Sequence, residues 1–283
     1  MIIAVAITAA VCLTAGFFLF SGDDNTETTV LKLEGSTTLS PLMEKYAEIY
    51  EGYANVRVEI VSNGSQNGVD AANSGIADIG MSSRNVGHAS HSGLVQTKIG
   101  TDTVVIIVGS GAGVTTLTKE NVIDIYNGTV TNWNQVGGNN LTIVPVDRDQ
   151  GSGTRTYFEE SFANLGSGVK PLNLSRSHAS IAATGGVIEY VSSHPGAVAY
   201  VSLGSLTTTA EKNMAVALNM ANDAGTGGGT AYSPITQLSS YTLKRDLVLL
   251  TKGDPTGQVA MFIGWILSAE GQDILKKSGF LPL

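Results

Sequence analysis

The sequence is poor in charge, in cysteine and in histidine. Of its 283 residues 14% are charged, and it contains one cysteine and four histidines. A single cysteine excludes a disulfide framework and a cysteine-based zinc site. The 24 acidic residues outnumber the 16 basic ones, which gives a formal net charge of −8. Because nucleic acids are bound by clustered lysine and arginine, this balance argues against a nucleic-acid partner.

Several motifs of nucleotide-binding and hydrolytic proteins are also missing. The chain has no G-x-x-x-x-G-K-[ST] P-loop and no G-x-S-x-G nucleophile elbow. Residues 104–113 resemble the start of a dinucleotide-binding unit, but Val114 stands where the last glycine is required. His88 and His91 have no further metal-ligand candidates nearby in sequence. Because paired catalytic carboxylates are lacking as well, we predict a protein that is not an enzyme and uses no cofactor or metal.

The N-terminus contains a long apolar run. Residues 2–20 are almost entirely apolar, and as a helix they would span about 28 Å, close to a bilayer's hydrocarbon core. We predict that residues 1–21 are a signal peptide or a membrane anchor and that residues 22–29 are a linker. These alternatives stay open, because no basic residue precedes the run and no clear A-x-A site ends it. Either one places the remaining chain outside the cytoplasm, in the periplasm or at the cell surface.

Strand and helix patterns alternate along the rest of the chain. The spacing of apolar residues predicts strands at 30–33, 57–62, 76–81, 103–108, 142–146, 197–201 and 247–251. It predicts helices at 41–53, 69–74, 119–126, 153–163 and 181–192, and a glycine loop at 223–230. A last helix would be capped by Asp254, with Pro255 in its first turn and Gly279 after its end. Such alternation indicates a mostly parallel α/β sheet.

Three segments place glycines and small hydroxyl residues directly before a predicted helix. They are residues 35–38 (GSTT), 63–68 (NGSQNG) and 150–154 (QGSGT), and Arg148 lies just before the third. A helix N-terminus has unpaired N–H groups and a partial positive charge, so it suits an anion. The guanidinium of Arg148 can bind phosphate or a carboxylate through two parallel hydrogen bonds. The pattern therefore predicts an oxyanion site.

These segments resemble the phosphate-binding proteins of phosphate-specific ABC importers. The similarity is carried by residues 35–41 (GSTTLSP), 77–84 (ADIGMSSR) and 148–155 (RDQGSGTR). It extends through residues 126–129, 132–133, 195–200 and 262–283, and so covers nearly everything after residue 30.

The resemblance implies a two-lobed α/β fold of the class II periplasmic-binding-protein type, with the ligand in the inter-lobe cleft. Because anion-loop candidates occur in both parts of the chain, we expect one lobe from residues 30–103 and 240–283 and the other from residues 104–239. The residues that match the family's phosphate ligands are Thr37, Thr38, Ser65, Ser83, Arg148, Ser152, Gly153 and Thr154.

One matching position departs from the best-known members of the family. Where they have an aspartate that accepts the proton of protonated phosphate, this chain has Ser83. An aspartate repels fully deprotonated sulfate, so the serine leaves the strictness of selection open. Asp147 and Asp149 are candidate partners for Arg148, while the role of Arg84 is left open.

The function that the resemblance implies is capture of inorganic phosphate and its delivery to the permease subunits of an ABC importer. A receptor for sulfate, molybdate or tungstate is the alternative within the same class. A secreted phosphatase-like enzyme and a surface protein for sensing or adhesion are alternatives from other classes. An uncleaved N-terminal segment would also bind the membrane.

Overall fold

We analysed a computed structural model of the chain. It describes residues 28–52, 54–84, 86, 91, 93–163, 172–174, 179–219, 230–241 and 243–283. The predicted signal or anchor, most of the linker, His88 and nearly all of the glycine loop at 223–230 lie outside the described residues. Within the described residues, none of the helices has the length and apolar character needed to cross a membrane.

The described residues form an alternating series of strands and helices. The strands are β1 (Thr29–Gly35), β2 (Val56–Ser62), β3 (Ile79–Ser82), β4 (Leu94–Val108), β5 (Thr116–Thr118), β6 (Val144–Arg148), β7 (Ala179–Ile181), β8 (Ala197–Ser202), β9 (Ala217–Asn219), β10 (Ala231–Tyr232) and β11 (Lys244–Lys252). The helices are α1 (Ser40–Glu51), α2 (Ser65–Ser74), α3 (Lys119–Tyr126), α4 (Gly153–Ala163), α5 (Thr184–Ser193), α6 (Thr209–Asn213), α7 (Gly257–Leu267) and α8 (Ala269–Lys277). Short 3₁₀ turns lie at Trp133–Val136 and Leu203–Ser205.

The C-terminal helix differs from its prediction. It is two helices, α7 and α8, separated at Ser268, whose extended ψ of 167° interrupts the helical path. The Ser268 hydroxyl accepts a hydrogen bond from the N–H of Gly271 and so caps α8. Helix α7 begins after Thr256, two residues beyond the predicted cap Asp254. Gly279 does follow the end of α8, with a φ of +87° that suits glycine.

The main sheet has the strand order β2-β1-β3-β11-β4-β8-β6-β7. Its outer pairs are parallel, as the alternation predicts. The three central pairs, β3 with β11, β11 with β4, and β4 with β8, are antiparallel. The sheet is therefore mixed rather than mostly parallel, because β11 and β4 each run antiparallel to both of their neighbours.

The buried apolar residues form two large clusters. One contains Leu31 to Ile99 together with Leu247 to Phe280, and the other extends from Val104 to Leu243. Strand β4 passes from the first cluster into the second, and its first half, residues 94–102, was missed by the strand predicted at 103–108. The chain passes from the first cluster to the second between Ile99 and Val104, and it returns between Leu243 and Leu247. These positions are close to the expected lobe boundaries, which stay a prediction.

Candidate functional site

A small, narrow cavity lies between the chain segments of the two clusters. Its walls lie so close together that no space for a water molecule is left between them. All eight residues predicted from the sequence line it, and the structure adds Ser36 and Gly64. The lining residues are Ser36, Thr37, Thr38, Gly64, Ser65, Ser83, Arg148, Ser152, Gly153 and Thr154.

The first wall of the cavity is the turn between β1 and α1. Strand β1 ends at Gly35, where φ is +135° and a Cβ atom would lie 2.3 Å from the carbonyl oxygen of Met81. The turn is closed by hydrogen bonds from the N–H groups of Leu39 and Ser40 to the carbonyl of Ser36. Within the described residues the N–H groups of Thr37 and Thr38 have no backbone acceptor. The turn therefore presents two free N–H donors at the N-terminus of α1.

Two serines form the second wall. Ser65 is the first residue of α2, and Ser83 directly follows β3. Their hydroxyl oxygens are 3.2 Å apart, and the N–H of Ser83 donates to the Ser65 hydroxyl at 3.2 Å. Both side chains are buried. This wall is neutral and supplies hydroxyl groups, which can either donate or accept hydrogen bonds.

The third wall begins where β6 ends and α4 starts. Arg148 is the last residue of β6, and Gly153 is the first residue of α4. A Cβ atom at Gly153 would lie 2.4 Å from the Ser65 hydroxyl oxygen and 2.9 Å from that of Ser83. Glycine is thus required here because the second and third walls approach each other at this point.

The guanidinium of Arg148 is surrounded by neutral oxygen atoms. The residue is 1% exposed. Its Nε donates to the carbonyl of Ile181, its Nη1 to the Thr184 hydroxyl, and its Nη2 to the Thr37 hydroxyl and the carbonyl of Ala182. Burial lowers the pKa of Arg148 to about 10, so the side chain remains charged at neutral pH.

Neither aspartate considered as a partner pairs with that guanidinium. Asp147 accepts hydrogen bonds from the backbone N–H of Arg148 and the Tyr200 hydroxyl, and it forms an ion pair with Arg155 at 2.8 Å. The Asp149 Oδ1 atom is buried and has no partner within the described residues. In the described part of the chain, the Arg148 side chain therefore forms no ion pair, although the charges of Asp149 and Asp147 oppose the effect of burial on its pKa.

Arg84, whose role the sequence left open, lies outside the cavity wall. Its Nη2 donates to the side-chain oxygen of Gln66 at 2.8 Å. It therefore anchors the start of α2 instead of facing the cavity.

Several hydrogen bonds connect the two chain parts across the cavity. The hydroxyl oxygens of Thr37 and Thr184 are 3.0 Å apart, and those of Thr38 and Thr154 are 3.4 Å apart. The N–H of Gln66 donates to the carbonyl of Gly151 at 3.1 Å. The structure thus has the walls in contact, with almost no space left in the cavity between them.

Sequence reasoning missed two residues next to the cavity. Thr184 begins α5 and is followed by two glycines, so it has the same pattern of a small hydroxyl residue at a helix start and could have been found. Arg245 lies in β11 and donates to the Thr38 hydroxyl at 3.3 Å. No local pattern distinguishes Arg245, because its contact depends on strand pairing between distant residues.

A larger groove adjoins the cavity. It has a volume of about 480 Å³. Thr37 and Thr38 line both the groove and the cavity, and Thr184, which contacts Arg148, lines the groove. Its other lining residues come from α1, α5, residues 203–207, α6, residues 234–238 and residues 277–280. The hydroxyls of Thr37 and Thr184 therefore lie between the small cavity and the groove.

Comparison with known proteins gives consistent matches. A family model of the PBP superfamily domain matches residues 23–270. The phosphate-binding protein PstS of Borreliella burgdorferi is 27% identical over 258 residues, which are 90% of each chain. A solved structure from Clostridium perfringens with bound phosphate, assigned as a phosphate ABC transporter substrate-binding protein, is 30% identical with a TM-score of 0.75. That match covers 90% of this chain and 100% of the other.

A second solved structure, an ABC-type phosphate transport receptor from Vibrio cholerae, is 25% identical with a TM-score of 0.66. It also covers 90% of this chain and 100% of the other. The predicted two-lobed α/β fold is confirmed by these likenesses.

Proposed function

The chain belongs to the PBP superfamily, and from that premise we propose that it is an extracytoplasmic solute-binding protein that captures inorganic phosphate. It then delivers phosphate to the permease of an ABC importer. The proposal is supported by relatives named as phosphate-binding proteins and by a similar structure with bound phosphate. The observation that carries it is the buried Arg148 guanidinium, which lines the polar cavity and forms no ion pair with a carboxylate of the described chain.

The lining residues have complementary roles in this proposal. Arg148 supplies the positive charge, and the N–H groups of Thr37 and Thr38 donate from the N-terminus of α1. Ser65, Ser83, Ser152 and Thr154 supply hydroxyl groups around the remaining oxygens of the anion, while Gly153 lets the two walls approach. On binding, phosphate replaces part of the contact between Arg148 and its neutral oxygen neighbours with a stronger, charge-assisted one.

We further propose that the protein binds without chemical conversion of the ligand. The ten lining residues include serines and threonines but no histidine, aspartate or glutamate that could activate a hydroxyl as a nucleophile. In the same proposal, the N-terminal apolar segment exports the protein or anchors it beside its permease.

A receptor for a fully deprotonated oxyanion is the second candidate. It is favoured by Ser83, because no carboxylate lines the cavity to reject sulfate or molybdate. A hydroxyl at this position can donate to sulfate as readily as it can accept from protonated phosphate.

Isothermal titration of the purified protein with phosphate, sulfate and molybdate tests the two candidates together. Tightest binding of phosphate supports the phosphate receptor, and tightest binding of sulfate or molybdate supports the alternative. If none of the three anions binds, both assignments are wrong. Arg57→Lys, titrated in parallel, is the control for an arginine outside the cavity. Arg57 is exposed and pairs with Glu59 on strand β2.

A further inference from the structure

A second buried arginine lies on the strands that join the two clusters. Arg245 on β11 and Asp102 on β4 are opposite each other in the antiparallel ladder. The two residues are 4% and 0% exposed. The Arg245 Nε and Nη2 atoms both donate to Asp102 Oδ2, at 2.9 and 2.8 Å. The other oxygen, Asp102 Oδ1, accepts from the Ser202 hydroxyl at 2.6 Å.

This ion pair extends to the first wall of the cavity. Arg245 Nη2 also donates to the Thr38 hydroxyl at 3.3 Å. Its Nη1 atom is buried and has no partner among the described residues. A buried ion pair contributes little net stability compared with an apolar pair, because both charges lose their hydration. Stabilisation of the pairing between β4 and β11 is therefore a weak explanation for an ion pair beside the cavity.

The hydrogen-bond chemistry of Thr38 suggests a more specific role. A threonine hydroxyl has one proton to donate and lone pairs that accept. Because Arg245 can only donate, the Thr38 oxygen accepts in that contact, and its own proton must point elsewhere. The acceptor recorded for it among the described residues is the Thr154 hydroxyl at 3.4 Å, which is longer than a normal O–H···O bond. A bound anion in the cavity offers a stronger acceptor for the same proton.

We infer that Arg245 is a positioning residue for anion binding: it holds the Thr38 hydroxyl as a donor directed at the bound oxyanion, while Asp102 and Ser202 hold Arg245. This role rests on the proposed function, since it requires an anion in the cavity. Arg245 acts through Thr38, because its own charge is paired with Asp102. Among the causes that lower the pKa of Arg148, after burial, is the charge of Arg245. The two guanidiniums are therefore close enough for their charges to interact.

A double-mutant cycle separates positioning from a purely structural role. The variants are Arg245→Lys, which keeps the charge and can still pair with Asp102, Thr38→Val, which removes the hydroxyl, and their combination. A lysine has one terminal nitrogen and cannot copy the guanidinium fork that bridges Asp102 and Thr38. Phosphate affinity is measured by titration and folding by thermal unfolding.

The role of Arg245 through Thr38 predicts effects that do not add. Thr38→Val should weaken phosphate binding about tenfold, the loss of one charge-assisted hydrogen bond. Arg245→Lys should weaken it about three- to tenfold in the wild-type background and less than twofold in the Thr38→Val background. Thr38→Ser keeps the hydroxyl, so it should bind phosphate about as tightly as the wild type, and adding Arg245→Lys to it should weaken binding as in the wild-type background. Arg57→Lys, at an exposed pair, should leave affinity unchanged.

Other outcomes overturn the inference. Unchanged affinity in Arg245→Lys, or losses that add in the double variant, would make the Asp102–Arg245 pair structural only. If Arg245→Lys does not fold, Asp102→Asn is combined with Thr38→Val in the same cycle, and failure of both to fold also assigns a structural role. A wild type that binds sulfate but not phosphate refutes the phosphate receptor alone, and the cycle is then run with sulfate. A wild type that binds no oxyanion refutes both.

Discussion

Two buried arginines in this molecule have opposite surroundings. Arg245 shares two hydrogen bonds with the carboxylate of Asp102, so its charge is neutralised within the fold. Arg148 is equally buried, but its guanidinium contacts only carbonyl and hydroxyl oxygens among the described residues. An arginine is therefore part of an ion pair in one region, whereas in the other region an arginine has only neutral hydrogen-bond partners.

The difference also concerns which parts of the chain each arginine connects. Arg245 and Asp102 lie on strands β11 and β4, which remain hydrogen-bonded neighbours. Arg148 lies on β6, in the chain segment of the second cluster, and donates to Thr37, in the chain segment of the first, across the cavity. A cation that is satisfied by neutral groups of both parts can bind an anion between them, whereas a cation already paired with a carboxylate supports the site from behind.

Removing Arg148 should have the largest effect on binding. Arg148→Ala should weaken phosphate binding by 100-fold or more, about 3 kcal/mol, because the desolvated anion loses its charge-assisted bonds. Arg245→Ala should instead lower the free energy of unfolding by about 3–5 kcal/mol, because it leaves Asp102 buried and unpaired. Calorimetric titration and chemical denaturation measure the two effects. Unchanged affinity in Arg148→Ala would reverse the assignment of the two arginines.

A methyl group at Gly153 should disturb only the region that joins the two chain parts. The added Cβ atom would lie 2.4 Å from the Ser65 hydroxyl oxygen, so Gly153→Ala must push the second and third walls apart. We expect phosphate affinity to fall about tenfold or more, since overpacking costs about 1–3 kcal/mol. Gly264→Ala is the matched control, because a Cβ atom at Gly264 in α7 meets nothing within 4 Å. Equal affinities in the two variants would contradict the close approach.

A carboxylate added near Arg148 should make its surroundings more like those of Arg245. Ser83→Asp should raise the preference for phosphate over sulfate severalfold, because the carboxylate accepts a hydrogen bond from protonated phosphate and repels deprotonated sulfate. Ser83→Asn has nearly the same size without the charge and serves as the control. The preference is measured by parallel titrations with both anions. If all three proteins show the same preference, Ser83 does not contact the ligand.

The smallest expected signal is a change of shape on binding. The hydrogen bonds across the cavity require the two parts to approach, while the paired strands β4 and β11 stay together as the chain crossings. Phosphate should therefore shift an open form toward the closed one. Small-angle scattering of residues 30–283 should show a smaller radius of gyration with saturating phosphate. An unchanged radius despite confirmed binding would indicate a rigid, preformed pocket.

The parts of the fold predicted correctly depend on residues close together in sequence. Helix α3 has the predicted bounds because Thr118 and Asn121 form a capping box at its start. Helix α4 also begins and ends as predicted, at Gly153 and Ala163. The three segments that line the cavity were recognisable for the same reason, since each combines glycine, a small hydroxyl residue and a helix start within a few positions.

The errors lie where distant residues decide the structure. The first half of β4 contains polar residues and has no clear strand pattern, yet it is a strand because β11 pairs along its length. The register of these strands also places Asp102 opposite Arg245, 143 residues later in the chain. Apolar periodicity carries no information about such pairing, so neither the ion pair nor its contact with Thr38 was predicted.

The sequence by itself determined the local chemistry of this protein: which turns expose N–H groups, which positions carry hydroxyls, and where a strand delivers an arginine. Only the tertiary structure decided how these groups are combined. It brought all eight predicted residues around one cavity. It also paired Asp147 with Arg155 rather than with the Arg148 guanidinium, and Asp102 with Arg245. The physical reason is that turns and caps are set by neighbouring residues, whereas the partner of a buried charge is set by sheet register and by the packing of chain segments that are far apart in sequence.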